Sequence, residues 1–283
     1  MGVLAMISLS CGVIGPFLVL KKMTMFANAL SHTILLGIVS SFLLTSFLWG
    51  GSLFDSSTLL FGSLAAAFLT ALCTEGFVRF FHLQEDASVG LVFSTLFSLG
   101  VLLVTLFTRN IHLSIEAVTG NVDALSWADF CFSFHLAFLN LAIVLIFYRP
   151  LQITSFDCHY AKTLGIHSDR FRFLLLCQTA FVCVVAFRAV GVFLVLAFLV
   201  GPYLTARLFT HRLHKLLILT PIIGILASLA GVAVARHILS VYAVPLSTGG
   251  IVVCMIGLFF AGSFGVKNLL YHRYRRIFVC ENG

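Results

Sequence analysis

Apolar residues run along this chain in blocks of about 20, parted by short polar stretches, the length a helix needs to cross the hydrocarbon of a bilayer. The blocks place spans at 2–20, 26–48, 58–81, 87–107, 130–148, 171–188, 191–208, 215–238 and 248–266. Only 171–208 is ambiguous, since it can also be read as one very long helix. Charge decides it, because cytoplasmic loops concentrate Lys and Arg. With a break at Arg188–Gly191, nine spans run from an outside N-terminus to a cytoplasmic C-terminus, and of the 17 Lys and Arg residues only Arg109, Arg188 and Arg236 fall outside. An unbroken helix would put the basic tail YHRYRR outside. The expected fold is an all-α polytopic membrane protein, a bundle of about eight or nine helices, with residues 1–283 forming one transmembrane domain.

Two connections are longer than turns. Residues 108–129 form an outside segment expected to include a short surface helix. Residues 149–172 form the longest inside segment, where Pro150 blocks simple continuation of the preceding helix. Within it DCHYAKTLGI reads as a short amphipathic helix capped by Asp157 and closed at Gly165. A structured cytoplasmic helix exceeds what a tether requires and points to a docking surface for a soluble partner. Residues 267–283 form a basic cytoplasmic tail.

Composition agrees with a membrane protein. The chain is 60% hydrophobic and only 10% charged, with 30 phenylalanines, against about 25% charge in soluble domains. The first span has no positive charge before it and is followed by Lys21 and Lys22, the reverse of a secretory signal; its abrupt apolar start leaves room for a short missing leader. The eight cysteines are scattered without a CxxC, which favours buried small hydrophobes over disulfides or a zinc knuckle. The net charge of +7 is explained by topology rather than by nucleic acid. Dense Gly, Ser and Ala in GSLAAAFLTA and GIVSS allow close helix approach.

Ionisable groups inside spans mark pathways or sites. Glu75 is the one carboxylate well inside a span, and Arg79 lies one turn later, an arrangement that predicts a local ion pair. Asn28 and His32 are four apart and share a helix face, with Ser31 beside them. Two readings fit His32: a metal ligand supplemented by the Asn28 carbonyl, or a histidine satisfied by a neighbouring helix's carbonyl or hydroxyl. His237, near the outer end of the eighth span, is either a second metal station or an interfacial histidine. His211 and His214 belong to a basic inner loop, while His159 and His167 lie in the docking segment. His135 has no obvious partner. No HExxH, GxSxG or Walker-type loop is present, so this chain carries no ATPase of its own.

At GVIGPFLVLKKMTMFANALSHTILLGI the chain resembles the membrane subunits of the ABC-3 family, the zinc, manganese and iron ABC importers. TGNVDALSWADF, YAKTLGI, AVGVFLVLAFLVGPYLTARLF and VPLSTGGIVV are similar to further family motifs in the same order, covering residue 12 to about 266. The resemblance implies a type II ABC importer-like permease in the bacterial inner (cytoplasmic) membrane, with no permanently bound cofactor and a divalent metal ion as cargo. Its implied partners are a cytoplasmic ABC ATPase dimer, a second permease copy or a sister permease, an extracytoplasmic metal-binding protein and membrane lipid. The segment 149–172, with Asp157, Ala161, Leu164 and Gly165, falls where the family couples to its ATPase. His32 matches the histidine of the family's D-A-L-S-H motif. Asn28 stands at the aspartate position and removes a negative charge. A permease for a metal chelate is the alternative; an intramembrane enzyme lacks paired catalytic groups at matching depth.

Overall fold

The computed structural model describes residues 1–49, 56–107, 125–242 and 247–281, and among them all regular structure is helical. In chain order the helices are α1 (Gly2–Leu20), α2 (Thr24–Trp49), α3 (Ser56–Phe81), α4 (Glu85–Phe107), α5 (Trp127–Ile146), α6 (Tyr148–Phe156), α7 (Cys158–Thr163), α8 (Ser168–Val190), α9 (Val192–Phe209), α10 (Leu213–Tyr242) and α11 (Thr248–Glu281). Nine of these, all but α6 and α7, are long and apolar enough to cross a membrane. Helices satisfy their own backbone hydrogen bonds, which hydrocarbon cannot do for them.

The break expected at Arg188–Gly191 is present. α8 stops at Val190, Gly191 takes φ 85°, and α9 starts at Val192. That left-handed backbone is costly for any residue with a Cβ. The expected outer surface helix lies mostly in 108–124, and the turn at Pro245 in 243–246, both outside the described residues. The basic tail is not a separate segment: α11 continues through it to Glu281.

α1 and α8 are the innermost helices, each with 72% of its membrane window buried, against 11% for α11 and 17% for α4. α2 packs on α3 and α4 to make one layer; α1, α9, α10 and α11 make another, with α5 against α1. α8 touches both layers and joins them. Phe17, Phe26, Phe198 and Tyr203 fill the interior.

Lipid is as apolar as leucine, so close packing and polar bonds hold such helices together. α2 and α3 cross at Gly37 and Gly62, where a Cβ on Gly37 would strike the Gly62 carbonyl and the Ser63 Cα. One turn before Gly37, Thr70 Oγ1 donates to Thr33 Oγ1 at 3.0 Å. Between α1 and α10, Gly12 meets Pro221 and Ser8 meets Gly224, fixing the antiparallel register.

Gly37→Ala should therefore prise α2 from α3, at an overpacking cost of about 1–3 kcal/mol. Its thermal midpoint in detergent should fall. Gly76→Ala, in the same α3 but facing open space, should not lower it.

Candidate functional site

Asn28 and His32 lie on one exposed face of α2. Ser31 turns back on its own helix, its hydroxyl donating to the Asn28 main-chain carbonyl at 2.6 Å. The His32 ring rests against two phenylalanines of α4, with centroids 5.3 Å from Phe93 and 5.2 Å from Phe97. Phe93 and Phe97 stack on each other. Among the described residues His32 contacts rings, not a carbonyl or hydroxyl of a neighbouring helix, so the structural alternative takes a different form from the one expected. Asn28 and His32 thus stay exposed on one face of α2, with the His32 ring resting on α4.

At 1.5 Å per residue, His32 lies about 12 Å along α2 from its N-terminal end, while His237 lies about 36 Å along α10 from its N-terminal end. His237 is exposed. The two histidines sit at different depths and do not share one ion. Among the described residues no group of three or more His, Cys, Asp or Glu side chains is assembled to hold a metal.

Within 149–172 the expected capped helix is present, with one addition. Asp157 Oδ1 accepts from the His159 and Tyr160 amides at 2.8 and 3.0 Å, capping α7. Those bonds, Tyr160's first, hold the exposed Asp157 carboxyl below its ordinary value. Ala161 is fully buried and anchors the helix. Gly165, at φ 76°, ends the segment, and Leu164 stands exposed. The addition is α6: Pro150 sits in its first turn, where a missing N–H costs nothing. Arg149, Gln152, Ile153, Phe156, Asp157 and Tyr160 line a groove of about 450 Å³ between α6 and α7. With Phe156, Tyr160 and Leu164 all exposed, this is an apolar face with a charged rim.

Glu75 does not pair with Arg79, which is exposed. It faces Arg172 of α8 instead, taking bonds from Nη2 at 2.8 Å and Nε at 2.9 Å. Arg172 Nη1 also donates to Glu85 at 3.3 Å. The two-pronged fork beats the single-pronged helical neighbour. A buried amide pair also went unforeseen. Asn140 of α5 donates to the Ser10 carbonyl of α1 at 2.8 Å, and Gln178 of α8 donates to the side chain and carbonyl of Asn140. Only their being amides within apolar runs signalled it.

The family model of the ABC 3 transport family matches residues 1–267. The chain belongs to the ABC 3 transport family. It is 38% identical over 266 residues to a probable metal transport system membrane protein of Chlamydia muridarum (strain MoPn / Nigg), covering 94% of this chain and 83% of that one. It is 34% identical over 275 residues to the manganese transport system membrane protein MntD of Bacillus subtilis (strain 168), covering 92% and 88%. Among solved structures, PsaBC from Streptococcus pneumoniae in complex with Fab superposes with a TM-score of 0.72 at 25% identity, covering 93% of this chain and 89% of that one. This ABC 3 family chain is accordingly a multi-pass membrane transport subunit and not an enzyme.

The cap on α7 should respond to pH with a definite sign. A depressed carboxyl stabilises the helix above the ordinary aspartate range and stops doing so as pH falls through the lowered value. Amide exchange across Cys158–Thr163, corrected for intrinsic rates, should therefore speed up only in acid. Asp157→Ala should show the fast exchange already at neutral pH, and Asp157→Asn should keep the protection, since both Asp and Asn cap well.

Proposed function

We propose that this ABC 3 family permease serves an ATP-driven importer that carries a divalent transition metal ion, manganese, zinc or iron, across the bacterial inner membrane. The observation that carries the cargo is the outward face of α2 with Asn28 and His32. Polar groups at membrane depth are costly unless they meet water or a partner, so this face belongs against a water-filled path or a second permease. Imidazole suits all three metals, and the Asn28 carbonyl adds a weak, neutral oxygen. A relative named for manganese points the same way.

In this reading the metal passes His32 and Asn28 as a transient station, and His237 is a separate one nearer the outer surface. Neutral Asn28 holds the ion less firmly than an aspartate would, which favours release; a sister permease is one source of the missing charge. No cofactor is bound permanently. An extracytoplasmic binding protein delivers the ion. A cytoplasmic ATPase dimer docks on the α6–α7 face through Phe156, Tyr160 and Leu164, with Asp157, Ala161 and Gly165 holding that face in shape. The N-terminus lies outside and the C-terminus inside, as the charge distribution favours.

His32→Ala in the assembled importer should lower metal uptake at least about tenfold, on the scale of losing a metal's supporting groups, without lowering the amount of permease in the membrane. Loss of abundance instead would mean that the ring serves packing against Phe93 and Phe97. Asn28→Asp should tighten metal retention. Uptake and affinity both left unchanged would remove this face from the pathway.

A further inference from the structure

Arg172 lies one turn into α8, at the end of the segment 149–172. Its guanidinium closes a fork on Glu75, near the inner end of α3, and reaches Glu85, the first residue of α4. The two carboxylates flank the α3–α4 turn, so one side chain grips both arms of that hairpin. The Arg172 and Glu75 side chains are only 16% and 14% exposed. Asp169 Oδ1 lies 3.9 Å away on the same helix.

Three pieces of chain therefore meet at Arg172: the start of α8, the end of α3 and the start of α4. α6 and α7 both pack against α8, the helix that carries it.

We infer that Arg172 is a positioning residue for transport, the joint through which displacement of α6–α7 is passed to the α2–α3–α4 layer bearing Asn28 and His32. This rests on the reading that α6–α7 docks the ATPase. Between α8 and α3 the other contacts include apolar ones such as Phe68 on Phe173, and apolar faces can slide in lipid at small cost. A partly buried ionic fork cannot slide without stranding charge. It sets the register between α8 and the α3–α4 hairpin. Beyond the hairpin, the Thr33–Thr70 bond, the Gly37–Gly62 crossing and the Phe93–Phe97 surface under His32 tie α2 to it.

The test is made on the whole importer, with its ATPase and binding protein, in proteoliposomes. Radioactive Mn²⁺ uptake and ATP hydrolysis are measured in the same vesicles. Arg172→Gln should lower Mn²⁺ carried per ATP at least about fivefold, the lower end of a coupling energy, while the ATPase still co-purifies and hydrolyses ATP. Arg172→Lys, which keeps the positive charge beside both carboxylates, should retain more of the ratio than Arg172→Gln. An unchanged ratio in Arg172→Gln, or an Arg172→Lys variant that accumulates normally and is as impaired as Arg172→Gln, overturns the joint. Where Arg172→Gln does not accumulate, Glu85→Gln decides: a lowered ratio supports the joint and an unchanged one overturns it. Leu164→Asp keeps the two readings apart, because an ATPase that still binds this variant counts against docking at α7, not against the joint.

Discussion

Hydrocarbon offers a peptide group no partner, and each unpaired N–H or C=O costs several kcal/mol there. Most features of this chain answer that constraint. Its backbone is spent in long helices, and the change from α8 to α9 uses one residue. The hydroxyls inside the spans mostly turn back on their own helix, as Thr74 does to the Thr70 carbonyl and Thr179 to the Leu175 carbonyl. The amides of Asn140 and Gln178 find each other and the α1 backbone. Against such thrift, an asparagine and a histidine turned outward on α2 are conspicuous, and that contrast is what gives them weight.

The same solvent removes the usual glue. Without a hydrophobic drive between helices, contact has to come from fit. Small residues at the α2–α3 crossing and along α1 bring backbones together, and a few polar bonds lock the seams. The result is uneven by design of the sequence: α1 and α8 are enclosed, while α4 and α11 present apolar side chains outward. Those outer faces need no solvation in lipid, so their exposure is no liability. The layered arrangement leaves α8 as the principal contact between two groups of helices.

What could be read in the chain beforehand was whatever obeys a local rule. Span length and the Asp157 cap with its Gly165 stop are written within a few residues. The break at Gly191 is inferred from the distribution of Lys and Arg along the chain, since the apolar run itself reads through it. What lay hidden was long-range. Glu75 has Arg79 at the favourable helical spacing, yet its partner is 97 positions away, and spacing rules do not reach that far. Pro150 does mark the end of simple continuation, with α5 stopping at Ile146, but the new helix around it was not foreseen, since the same ring suits a first turn and spoils a middle one. The aromatic support under His32 depends on which face α4 turns to α2, and nothing in either segment alone states that.

The single-residue corner at Gly191 has a mechanical consequence. A loop of several residues would let α8 and α9 shift past each other at their joined ends; one glycine does not. The pair has the geometry of a pair of dividers, with the pivot at Gly191 and the points at the far ends of the two helices. α8 is 23 residues long, about 35 Å at 1.5 Å per residue. A swing of about 10° at the pivot would therefore move its far point by about 6 Å. Leverage of that kind is greatest where Arg172, α6 and α7 sit, and smallest where the chain turns.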